Sequence, residues 1–108
     1  MSIITTEESF DKYTKENKLV FAFFFSQHNK ECIEFKPKMD ELRLIFKNVC
    51  FVTIDVDECK SLLERYNKYN IDNYLPRFLY FVNEDFIYQI NEVNHSEILR
   101  KLMSISSM

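Results

Sequence analysis

The 108-residue sequence predicts an α/β fold: a central mixed β-sheet of about five strands flanked by four helices. Three observations predict it. Leu19–Phe25 is seven apolar residues without alternation, the pattern of a strand covered on both faces. Cys32, Phe35, Met39, Leu42 and Phe46 recur at spacings of 3, 4, 3 and 4, the stripe of a helix facing a core. Strand-like and helix-like segments alternate before a closing hairpin, in the order β-α-β-α-β-α-β-β-α. Alternation implies parallel connections, and the hairpin adds an antiparallel pair.

Residues 2–5 fit a short edge strand. Thr5 and Glu8 have capping-box spacing, so a helix is expected from about Thr6 to Lys15, with Phe10 and Tyr13 inward. Asn17 and Lys18 form a turn into the Leu19–Phe25 strand. Residues 26–29 are polar and turn-like, and the striped helix follows. Pro37 lies within it, where it removes one backbone donor and should bend the helix. Phe51–Val56 alternates around Val52, Ile54 and Val56, as a strand does. Asp57 can cap a helix over roughly 58–69, with Cys59, Leu62, Leu63 and Tyr66 inward. Residues 70–74 read as a loop, and Leu75 and Pro76 lead into a strand over Phe78–Val82. A turn at Asn83, Glu84 and Asp85 returns the chain along Phe86–Ile90. Asn94 with Glu97 forms a second capping box before a last helix through Ile98, Leu99, Leu102 and Ile105.

The length suits one domain, residues 1–108, with a core of its own. A net charge of −3 argues against a general nucleic-acid or membrane-surface binder, which needs a basic excess. No apolar run reaches 18 residues, and MSIITTEESF lacks the basic and apolar regions of a signal peptide. A cytoplasmic location is expected, with the nucleus as the other choice. Cys32, Cys50 and Cys59 show no CxxC or zinc-ligand spacing, so thiols are expected and no metal site. Glycine is absent, so positive-φ positions should fall to Asn or Asp.

The segment order and several local patterns together resemble the thioredoxin family, over nearly the whole chain. Cys32, followed five residues later by Pro37, resembles the family's second active-site cysteine and its helix-kinking proline. Residues 48–57 resemble the family's third strand and its acidic end. Tyr69 to Ile71, then Leu75 and Pro76, resemble the approach to the family's cis-proline, though this segment is longer by about four residues, roughly one helical turn. The family's WCGPC motif aligns with His28, Asn29, Lys30, Glu31 and Cys32. The attacking cysteine is therefore replaced by Asn29 and the tryptophan before it by His28. The buried aspartate that assists proton transfer aligns with Phe23, and the threonine after the cis-proline with Arg77.

Disulfide exchange needs an attacking thiolate and a second thiol to resolve the mixed disulfide. A helix N-terminus lowers the attacking thiol's pKa, because the dipole favours negative charge there. Asn29 sits in that place and is instead expected to cap the helix. Cys32 falls on the inward stripe. It reads either as a small core residue or, with His28 four residues before it, as a thiol whose pKa an imidazolium could lower. Only in the second case is Cys32 catalytic.

The resemblance implies a groove that receives an extended segment of a protein partner. Its residues here are His28, Asn29, Lys30, Leu75, Pro76, Arg77, Asn91, Glu92 and Val93. Leu75 would pair with the segment's backbone, and Arg77 would place a cation nearby. The leading expectation is a redox-deficient, thioredoxin-like binding or scaffold module, a monomer or weak dimer, with no cofactor, nucleic acid or membrane. The alternative is a monothiol oxidoreductase or thiol sensor working through Cys32.

Overall fold

A computed structural model describes residues 3–66, 75, 77–90 and 95–106. Nine elements follow in order: β1 (Ile3–Ile4), α1 (Glu7–Glu16), β2 (Leu19–Phe25), α2 (Lys30–Ile45), β3 (Cys50–Asp55), α3 (Lys60–Arg65), β4 (Arg77–Val82), β5 (Asp85–Ile90) and α4 (His95–Ser106). The strands form one sheet in the order β1-β3-β2-β4-β5. β1, β3 and β2 run parallel, whereas β4 is antiparallel to both β2 and β5. The sheet is mixed, as expected, but the reversal comes one strand earlier than alternation with helices implies, at β4.

β2 lies at the centre, and this explains its unbroken apolar run. Phe21, Phe23 and Phe25 enter one core with Cys32, Phe35, Met39 and Leu42 of α2 and Ile98 and Leu102 of α4. Val20, Ala22 and Phe24 enter the other, with Phe10 of α1 and Leu62 of α3. Successive side chains of a strand point to opposite faces, so a strand buried on both faces favours apolar residues at every position. The first core is rich in rings. Phe23 stacks on Phe78 at 5.2 Å between centroids, and Phe35 meets Phe78 edge-on at 4.9 Å.

Several boundaries differ from the sequence expectation, each for a local reason. The cap of α1 is Thr6, whose Oγ1 accepts from the Ser9 N–H at 3.2 Å, so the helix starts one residue later than the Thr5–Glu8 spacing suggests. β3 begins at Cys50 and ends at Asp55, one residue earlier at each end than the alternation suggests. α3 begins at Lys60 and not at 58, with Cys59 at its cap position and no side-chain cap bond. Asp57 is not its cap, because that carboxylate is held by Ser26 on the neighbouring strand's exit, at 2.7 Å. The Asp55 carbonyl accepts from the Glu58 and Cys59 N–H groups instead, closing a turn before α3. Residues 67–74, and with them the expected end of α3 and the loop, lie outside the described residues, as do Pro76 and the Asn94 half of the second capping box.

The β4–β5 connection is tighter than expected. Val82 pairs with Asp85, leaving Asn83 and Glu84 as a two-residue loop with φ of 50° and 72°. Two positive φ values are what a type I′ hairpin requires. Asn83 fits the expectation for a chain without glycine. Glu84 does not, and the short loop between paired strands leaves it no other conformation.

Candidate functional site

The site forms where β2 leaves the sheet and α2 begins. Phe25 is the last residue of β2, and the chain turns over Ser26–His28. The turn is secured from β3's exit. Ser26 Oγ donates to Asp57 Oδ2 at 2.7 Å, Gln27 Nε2 donates to Asp55 Oδ2 at 3.1 Å, and Asp57 N–H donates to Asp55 Oδ1 at 3.0 Å. The His28 N–H donates to Ser26 Oγ at 3.2 Å. The two aspartates therefore serve as acceptors that hold the turn. Sequence reading treated one as a helix cap and overlooked the other. The signal was present as the Asp-Val-Asp ending of a strand beside a Ser-Gln turn, but only the pairing of β2 with β3 brings them together.

Asn29 occupies the N-cap of α2, with φ −101° and ψ 119°, as expected from its place before the apolar stripe. Its Oδ1 accepts from the Cys32 N–H at 3.0 Å. Its Nδ2 donates to the Leu75 carbonyl at 3.3 Å, across 46 residues of sequence. Sequence reading placed both residues at one groove, and the structure brings them into contact.

Cys32 is fully buried among Phe23, Phe25 and Phe35 and is a free thiol. Burial pushes the thiol up from its usual range. A backbone hydrogen bond from Ser26 pulls the other way, and the carboxylates of Glu31 and Asp57 push it up further. Those charges oppose a thiolate, the reverse of an activating imidazolium or guanidinium. His28 is exposed and Cys32 is not, so the side chains four residues apart face different surroundings. Cys50 is half-buried, with its thiol also pushed up by burial, and Cys59 is buried beside Ser61, at 3.8 Å between Sγ and Oγ. No group of three or more His, Cys, Asp or Glu among the described residues could hold a metal ion.

His28, Asn29 and Lys30 lie together at the mouth of the site. His28 and Lys30 are exposed, and Lys30 reaches Glu34 at 3.8 Å. Leu75 is half-buried and packs against both cores. Arg77 must be removed from the groove. It is fully buried, and it pairs with Phe24 across the β2–β4 ladder. Directly paired residues share a face, so Arg77 enters the α1–α3 side of the sheet, opposite Cys32. Counting residues along the sequence from Pro76 could not reveal this parity. Pro76, Asn91, Glu92 and Val93 lie outside the described residues. One surface residue went unnoticed: Ile33, one turn after Asn29, is 54% exposed beside the site. Its signal was an isoleucine on the charged side of the helical stripe.

Comparison with known proteins bears on this arrangement. The family model Thioredoxin matches residues 1–104. Thioredoxin 1 of Plasmodium falciparum is 28% identical over 67 residues, which are 62% of this chain and 64% of that protein. Thioredoxin-2 of Pyricularia oryzae is 31% identical over 78 residues, 72% of this chain and 43% of that protein. The matched stretch thus spans less than two thirds of either relative's length. Among solved structures, a Plasmodium falciparum thioredoxin superposes with a TM-score of 0.87 at 25% identity, covering 97% of this chain and 99% of its own. The five-stranded mixed sheet and four helices are those of the thioredoxin fold.

Proposed function

This chain belongs to the thioredoxin family, and we propose that within it the protein is a redox-deficient binding or scaffold module, not a dithiol oxidoreductase. The observation that carries the reading is the use made of the α2 N-terminus. The helix dipole favours an anion there, and the family's attacking sulfur aligns with that position. Here the position holds a neutral amide, and both polar atoms of Asn29 are engaged in structural hydrogen bonds. Two further features support the same reading. Cys32 is buried with its thiol pushed up, and a resolving thiol has no substrate without an attacking one. Phe23 stands where the family's proton-transfer acid aligns, sealed between Phe25, Phe35 and Phe78.

What is left is a docking surface: His28, Asn29, Lys30 and Leu75, with Ile33 added, and Pro76 and Asn91–Val93 carried over from the resemblance. Its ligand is an extended segment of a partner protein, met by a cytoplasmic or nuclear monomer or weak dimer. Neither nucleic acid nor a membrane surface suits the acidic balance of the chain.

The reading is tested by alkylating the folded protein with iodoacetamide over a range of pH and mapping the three thiols by mass spectrometry. Cys32 is expected to stay unlabelled at neutral pH and to react only on unfolding. Labelling of Cys32 near neutral pH would overturn the scaffold reading and favour the monothiol oxidoreductase or thiol sensor.

A further inference from the structure

We infer that Asn29 is a positioning residue, whose one amide braces the start of α2 to the segment at Leu75 and so sets the width of the proposed groove. Its use in docking rests on the reading above, while the brace stands on its own geometry. Capping alone would leave Asn, Asp and Ser nearly interchangeable. The second bond separates them. Oδ1 accepts from Cys32 at 3.0 Å while Nδ2 donates to Leu75 at 3.3 Å, so the position needs an acceptor and a donor on one short, planar group. An ionised aspartate has acceptors only, and a serine hydroxyl has a single oxygen for both partners.

The Leu75 end is also particular. Its carbonyl belongs to the peptide that joins Pro76, and a proline peptide has no N–H. That carbonyl is therefore the only main-chain hydrogen-bonding group this peptide offers. Asn29 engages that carbonyl through one of the two lone pairs a carbonyl oxygen carries, so any backbone docked on it has to share the oxygen with the brace. In this chain a neutral amide joins the two walls at the place where the family, by resemblance, carries its attacking sulfur.

Asn29→Asp separates the brace from the cap. Above the introduced carboxyl's titration it keeps an acceptor for the Cys32 N–H and loses the donor to Leu75. In isotope-labelled protein at neutral pH, the Cys32 amide is expected to stay protected as in the wild type, while the Leu75 carbonyl loses its amide donor. The Leu75 carbonyl carbon should shift with it. On acidification the carboxyl gains a proton, its O–H can donate to Leu75, and the carbonyl shift should return to the wild-type value. His28, Lys30, Glu31 and Asp57 lie about the site in both proteins, so the wild type measured over the same range is the control for any effect they have. Asn29→Ala should lose both effects at every pH. A Leu75 carbonyl shift in Asn29→Asp that equals the wild type at neutral pH, or that does not respond to acid, overturns the brace. No partner enters the measurement, so its failure leaves the docking reading intact, and a reactive Cys32 would remove that reading while leaving the brace.

Discussion

Helices α2 and α3 pack on opposite faces of the same sheet and are held by different means. α2 has 16 residues, a side-chain cap at Asn29, and four buried residues in a ring-rich core. α3 has six residues and no side-chain cap bond. It buries Leu62 and is tied to α1 by Arg65, which donates to Glu7 at 2.6 Å and to Asp11 at 2.9 Å. Side chains on Arg65, Glu7 and Asp11 are a third to a half exposed, and ion pairs in such settings contribute little. The element that carries the site is thus the one defined locally and anchored by apolar packing. The docking role proposed above would need a surface that keeps its shape without a partner, and a helix fixed at its cap and along its core stripe fits that need.

The largest test of this difference removes one anchor from each helix. Phe35→Ala should cost about 3–5 kcal/mol, because it empties a site bounded by Phe23 and Phe78, and Leu62→Ala should cost less. Urea unfolding of the two variants measures both, and an equal or larger loss for Leu62→Ala would reverse the ranking of the helices. Next in size is an attempt to restore chemistry at the start of α2. Asn29→Cys recreates a cysteine pair with Cys32, but Phe23 supplies no proton acceptor. Insulin reduction is expected to run on the order of a hundredfold below that of a dithiol thioredoxin. A rate equal to such a thioredoxin would show that Phe23 carries no weight.

The smallest effect concerns the α2-side core itself. Tyr80 is fully buried there, and its phenol is pushed up from 10.0 to about 12 by burial. The native state therefore holds its proton to higher pH than the unfolded chain does. Stability from this group is complete below the unfolded value and is lost as pH rises toward the folded one. By about pH 11 the loss should be about 1 kcal/mol, and Tyr80→Phe should flatten that part of the profile. A urea midpoint in Tyr80→Phe that falls as steeply as in the wild type would assign the alkaline slope to the Cys32 and Cys50 thiols, which are also pushed up.

Much of the site was legible before the structure. A seven-residue apolar run names a central strand, because only burial on both faces tolerates it. The 3-4-3-4 stripe puts Cys32 inward, and Asn29 just before it is a cap by residue type and place. Those inferences depend on neighbours in the chain, and they hold. Asp57 shows where such reasoning stops. By local rules it caps the next helix, but Ser26 in the turn just past the adjoining strand takes its carboxylate, and α3 starts later as a result.

Residue order alone gives the element types, the cap at Asn29 and the inward thiol, because periodicity and capping are short-range effects, while the missing cysteine at the α2 N-terminus is what the family resemblance implies. Three features needed the assembled sheet. Arg77 turns away from the groove because its pairing with Phe24 sets its face. Asp55 and Asp57 become supports of the turn because β3 lies beside β2. Asn29 gains its second bond because α2 and Leu75 meet across 46 residues. Each depends on register or on contact between distant segments, which no local pattern encodes.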